Sequence, residues 1–141
     1  MPSSRTSAAQ LASLPQLISA AEAAALGGTA LHVWPAEMRR LLSPHYSAEE
    51  IEAVVVPART LQRRLARGEK LTAEESDRAV RLARIADHAE RVFGAQEKAG
   101  RWLRRPNAGF DGAPPFALLR SETGARKVEE ALLRIDHGIF A

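Results

Sequence analysis

Apolar positions recur at helical spacing along most of the chain, and alternating strand-like runs are nearly absent. Residues 8–26 are rich in alanine and carry Leu11, Leu14, Leu17, Ile18 and Leu26. This predicts a first helix that Pro15 splits or kinks and that Gly27-Gly28 ends. It is either an extra helix or an arm that orders on a partner. In "TALHVWPAEMRRLLSPHY", Pro35 suits a first helical turn, Trp34 packs at its start, and Met38, Leu41 and Leu42 form one buried face. "SAEEIEAVV" opens on a capping box, Ser47 with Glu50, and turns Ile51, Val54 and Val55 inward. "PARTLQRRLARG" starts at or near Pro57 and stops at Gly68.

Thr72 and Glu75 form a second capping box, ahead of a long helix that reaches about Phe93 and ends at Gly94. Its apolar residues are too many for one stripe, which predicts a central helix with neighbours on more than one side. A shorter helix holds Trp102 and Leu103 before Pro106. A loop, a one-turn helix from Pro115 and a last helix follow, the last with Val128, Ala131, Leu132 and Ile135 on one face and Gly138 as its stop. The chain reads as all-α.

Two short helices joined by a very short turn, with another helix before them, have the grammar of a helix-turn-helix. On the second of them, Ala58, Leu61 and Leu65 fall on one side. Arg59, Gln62, Arg63 and Arg67 point the other way, with Thr60 and Arg64 on the flanks. A solvated basic helix and a DNA-reading helix both fit this pattern. In the second reading Arg59, Gln62 and Arg63 meet base edges, while Thr60, Arg64, Arg67 and Lys70 meet phosphates. One feature weighs against a standard turn: its residues are "VVVP", and β-branched Val55 resists the left-handed conformation that glycine often supplies there.

Charge sharpens the picture. The net charge of the 141 residues is only +3, but residues 57–70 hold Arg59, Arg63, Arg64, Arg67 and Lys70 against the single acid Glu69. A local cationic patch of this kind is the footprint expected for phosphate contacts. Hydrophobic residues make up 45%, enough for a packed core. The absence of cysteine excludes disulfides, thiolate metal sites and a cysteine nucleophile. No run is apolar enough for a membrane helix and no secretion signal is visible, so the cytoplasm is the expected location. His32, His45, His88 and His137 lack metal-binding spacing, and no phosphate loop or nucleophile constellation stands out. The expectation is a protein that is not an enzyme and needs no cofactor.

From about Leu31 to Ala141 the chain resembles the Xre/MbcA/ParS-like antitoxins of type II toxin–antitoxin modules, most of all those paired with RES-domain toxins. The resemblance is carried by "RTLQRR" with "LTAEESDRAVRLARI", by "VFGAQEKAGRWLRRPNAGFDGAPPFALL", and by "TGARKVEEALLRIDHGIFA". It implies an N-terminal extension at 1–30, a helix-turn-helix domain at 31–70 and a helical antitoxin domain at 71–141. It also implies a homodimer, operator DNA as one partner and a NAD-consuming RES-domain toxin as the other, while the lack of a long apolar run leaves no membrane expected. Ile139 and Phe140 follow a terminating glycine and must bury, either by folding back or by entering a partner. In the second case Arg126, Lys127, Arg134, Asp136 and His137 form the polar rim of a toxin contact. The alternatives are a stand-alone regulator without a toxin, and a protein-binding module that has lost DNA affinity.

Overall fold

The computed structural model describes residues 11–138. Among these residues, seven α-helices succeed one another: α1 (Leu14–Leu26), α2 (Pro35–Leu42), α3 (Ala48–Val54), α4 (Ala58–Arg67), α5 (Ala73–Phe93), α6 (Gln96–Arg104) and α7 (Glu122–Asp136). Two 3₁₀ segments, Ala108–Phe110 and Pro115–Arg120, lie between α6 and α7, and no strand occurs among the described residues. None of the described helices is long and apolar enough to cross a membrane.

Packing divides the chain into two compact units at Ala83/Arg84, inside α5. A boundary at 70/71 falls in the connector before α5. The packing boundary lies further on because the first half of α5 is bonded into the helix-turn-helix unit. Ser76 accepts a hydrogen bond from the Val33 N–H (2.9 Å), Tyr46 donates its hydroxyl to the Leu82 carbonyl (2.8 Å), and Arg78 Nε donates to the Val55 carbonyl (3.1 Å). Main-chain bonding between Leu71 N–H and Val33 O (2.9 Å) adds to these ties.

In the first unit, α1 is a packed helix. Ser13 caps it, and Pro15 sits in the first turn, where its missing N–H costs nothing; the proline starts the helix and does not kink it. Leu14 and Leu17 are buried. Just ahead of α1, the Leu11 carbonyl accepts from Arg40 at 2.7 Å. Arg40 also pairs with Glu37 at 3.4 Å. Burial pushes the Glu37 carboxyl above the ordinary glutamate range, against the opposing pull of the Leu11 main chain and the Arg40 charge. Met38, Leu41 and Leu42 line the inner face of α2 as the spacing predicts. The Ser47–Glu50 box is closed in both directions, at 2.9 and 3.1 Å.

The second unit is built on the last turns of α5. Ile85, Ala86 and Ala89 are buried there, with Ala99 and Leu103 from α6, Leu119 from the second 3₁₀ segment, and Ala125, Val128 and Leu132 from α7. Ala131 and Ile135, expected on the same apolar face, are half-buried. Phe93 stacks obliquely on Trp102 with ring centres 5.5 Å apart. Ser121 caps α7 by accepting from the Gly124 N–H. Gly124 comes so close to the preceding segment that a Cβ there would stand 2.0 Å from the Leu118 carbonyl oxygen. Arg84 bridges Glu122 (3.2 Å) and Glu129 (3.4 Å), both on α7.

Candidate functional site

Two surfaces carry chemistry, one in each unit. The first is α4. The turn that leads into it differs from the glycine-type turn. Val55 caps α3 in the right-handed region (φ −90°, ψ −58°), and its N–H reaches the Ile51 carbonyl at 2.7 Å. Val54, Val55 and Val56 are all buried, and no residue of the turn has a positive φ. The three valines therefore supply core contacts without left-handed strain. Pro57 follows in extended conformation and Ala58 begins α4. At the far end Gly68 is left-handed (φ 65°), the conformation that a side chain resists.

The amphipathic split of α4 comes out as its wheel predicts. Leu61 is buried and Leu65 half-buried. Arg59, Gln62, Arg63 and Arg67 are exposed, and Thr60 is half-exposed. Arg59, Arg63 and Arg67 follow one another at four-residue spacing, so they form a single ridge with Gln62 beside it. Lys70 is exposed in the connector, its Nζ 5.1 Å above the Trp34 ring. Arg is suited to forked contacts with guanine or phosphate, and Gln to paired contacts with adenine.

Arg64 does not join that ridge. Its side chain is only 15% exposed and turns toward α5. Nη2 donates to Glu75 Oε2 at 3.1 Å, and Nε stands 3.0 Å from Glu75 Oε1, in ion-pair contact without hydrogen-bond alignment. Nη1 lies 3.6 Å from Glu69. Burial would push the Glu75 carboxyl up, but the Thr72 main-chain N–H and Arg64 outweigh it and hold the carboxyl below the ordinary range. Arg64, expected at a phosphate, instead turns toward α5, with one hydrogen bond from Nη2 to Glu75 and ion-pair contacts to Glu75 and Glu69.

The second surface is the outer side of α7. Arg126, Lys127, Arg134, Asp136 and His137 are all exposed. Leu133, a large apolar side chain, is 47% exposed on the same helix. At about 100° per residue it lies between Arg126, Glu130 and His137 on one face. Its signal was present in the sequence: position 133 falls off the apolar face that Val128 and Leu132 define. Beneath α7, burial and the Arg91 charge lower the His88 pKa, opposed by Glu129, Asp136 and Asp87. Ile139 and Phe140 lie outside the described residues. Among the described residues no group of three or more His, Asp or Glu side chains is arranged to hold a metal ion.

Two stretches of the chain, one holding α4 and the other α7, match known domain families. Residues 37–84 match the antitoxin Xre-like helix-turn-helix domain, and residues 88–138 match the antitoxin Xre/MbcA/ParS C-terminal toxin-binding domain. The chain is 45% identical over 84 residues to "Antitoxin Xre" of Pseudomonas putida KT2440, covering 60% of this chain and 53% of that protein. It is 38% identical over 95 residues to "Antitoxin Xre" of Yersinia enterocolitica, covering 67% of this chain and 64% of that one. It is 26% identical over 116 residues to "Prs ADP-ribosylating antitoxin" of Sphingobium sp. YBL2, covering 74% and 73%. The match thus spans from about half to just under two thirds of the two Xre relatives.

Proposed function

We propose a two-part role for this chain, which belongs to the Xre/MbcA/ParS antitoxin family: it neutralises a RES-type, NAD-consuming toxin through its second unit and represses its own operon through its first. The observation that carries this reading is the presence, on one chain, of an exposed arginine ridge on a helix-turn-helix and a separate toxin-binding domain. On the DNA side, Arg59, Gln62 and Arg63 read base edges, while Arg67, Lys70 and Thr60 hold phosphates. A single α4 reaches few base pairs, so the functional form is a homodimer whose two α4 helices occupy the half-sites of a palindrome.

On the toxin side, Leu133 is the apolar anchor and Arg126, Lys127, Arg134, Asp136 and His137 form the charged rim, with Ile139 and Phe140 continuing the contact. An apolar side chain set in a polar rim is the usual anatomy of a protein interface. The name of the Sphingobium relative refers to ADP-ribosylation. That chemistry draws its ADP-ribose from NAD, which supports a NAD-consuming toxin here.

The test is co-expression of this chain with the reading frame beside its gene. Growth rescue, a stable purified complex and preserved cellular NAD are the expected results. Equal killing with and without the chain overturns the toxin half of the reading.

A further inference from the structure

The joint between α4 and α5 is the best-defined polar cluster outside the exposed ridge. Glu75 is 8% exposed, and each of its carboxylate oxygens serves a partner. Oε1 accepts from the Thr72 N–H at 2.8 Å and faces Arg64 Nε at 3.0 Å, while Oε2 accepts from Arg64 Nη2 at 3.1 Å. The Thr72 hydroxyl closes the box by accepting from the Glu75 N–H at 3.1 Å. The next residue, Ser76, is fully buried and accepts from Val33. One carboxylate thus caps α5, and through Arg64 it also grips α4.

The grip matters because the apolar seam of α4 is short. Leu61 is its one buried side chain, and Leu65 is only half-buried. In a ten-residue helix with a single fully buried apolar side chain, a polar contact adds to what fixes the rotation about its own axis. Arg64 supplies a second fixed point one turn further on. Its neighbours in sequence, Arg63 on the ridge and Leu65 on the seam, place it at the border between the two faces. A rotation of α4 that loosened this pair would turn Arg59, Gln62 and Arg63 away together.

We infer that Arg64 and Glu75 are positioning residues for DNA reading: they set the rotation of α4 in the groove and touch no nucleic acid themselves. This rests on the reading of α4 as the DNA-contacting helix. Forked contacts to base edges demand exact placement, whereas flexible arginines reach phosphates from many placements. Breaking the joint therefore removes sequence preference and leaves sequence-independent affinity in place.

The experiment compares wild type with Arg64→Met and Glu75→Gln. Gln keeps an oxygen for the Thr72 N–H while removing the charge that holds Arg64. Binding is measured by fluorescence anisotropy across a salt series, on a duplex spanning the promoter upstream of the chain's own gene and on a scrambled duplex of equal length. The expected result for both variants is a fall of about tenfold or more in the promoter-to-scrambled affinity ratio. Scrambled-duplex affinity stays within about twofold, with an unchanged salt slope.

An equal loss on both duplexes with a salt slope smaller by about one makes Arg64 a phosphate contact and overturns the inference. An unchanged ratio overturns it as well. If Arg64→Met loses its helical circular dichroism, Glu75→Gln decides alone. Wild type that binds neither duplex refutes the DNA reading itself, an outcome distinct from wild-type binding that the two variants leave unaltered.

Discussion

Arg78 Nε donates a hydrogen bond to the main-chain carbonyl of Val55 at 3.1 Å, tying α5 to the turn between α3 and α4. Carbonyls at the end of a helix have no partner within it. Arg78 satisfies one of them from outside, in a turn whose three valines are buried. A charged donor to a half-buried carbonyl is worth roughly 1.5–3 kcal/mol. Arg78→Met is expected to lower unfolding stability by about that amount, measured by urea titration. A loss below measurement error shows that the turn holds its shape without the contact.

The exposed ridge makes a direct prediction. Replacing both Arg59 and Arg63 by Ala is expected to weaken binding to the promoter duplex by about a hundredfold or more, since each forked contact carries 1–3 kcal/mol. Both side chains are exposed, so the thermal midpoint stays close to wild type. Unchanged gel-shift affinity at physiological salt removes α4 from the DNA interface.

On α7, Leu133→Glu places a charge at the centre of the expected toxin contact while sparing the core, because Leu132 and Val128 remain buried. Loss of neutralisation in a co-expression growth assay, with an unaltered melting temperature, is expected. Truncation after Asp136 is expected to have the same effect while dimerisation persists. Full protection by either protein argues for a toxin contact elsewhere.

Gly124 is a packing requirement. Alanine would gain about 1 kcal/mol of helix propensity. Its Cβ would also meet the Leu118 carbonyl oxygen at 2.0 Å, a main-chain atom that cannot swing aside. Forced overpacking costs about 1–3 kcal/mol, occasionally more, so the clash prevails. Gly124→Ala is expected to lower the thermal midpoint; an unchanged or raised midpoint shows that the 115–120 segment yields freely.

The two buried glutamates of the first unit have opposite pH signatures. The Glu75 carboxyl is held below its ordinary value of 4.5, because the Thr72 N–H and Arg64 outweigh its burial. A depressed folded value contributes stability above the unfolded pKa and loses it as pH falls through the folded one. The deficit of Glu75→Gln relative to wild type is therefore largest near neutrality and shrinks as pH drops below 4.5. Glu37 is shifted upward by burial, so its contribution is present below the unfolded pKa and lost as pH rises through the folded one. Glu37→Gln thus compares better with wild type at pH 7 than at pH 4. Melting curves of both variants across that range check the signs.

Most of the helix boundaries were legible in the sequence because they are decided within a few residues. The boxes Ser47–Glu50 and Thr72–Glu75 close as written, and Gly68, Gly94 and Gly138 stop their helices in the left-handed conformation. Pro15 does not kink its helix, for a local reason: Ser13 caps the helix just ahead of it, so the proline falls in the first turn. Periodicity also separated the leucine seam of α4 from its arginine ridge.

Tertiary structure alone decided the fate of the side chains at the borders. A helical wheel assigns Arg64 an angle, but only the position of Glu75 on another helix determines that this arginine turns inward while Arg63 and Arg67 face solvent. Likewise, the spacing of α7 places Leu133 off the apolar face, and the packing of the described residues leaves it 47% exposed. The physical reason is one of range. Capping and left-handed turns are satisfied by neighbours along the chain, whereas a flanking charge or an off-face leucine takes its role from whatever the fold brings beside it.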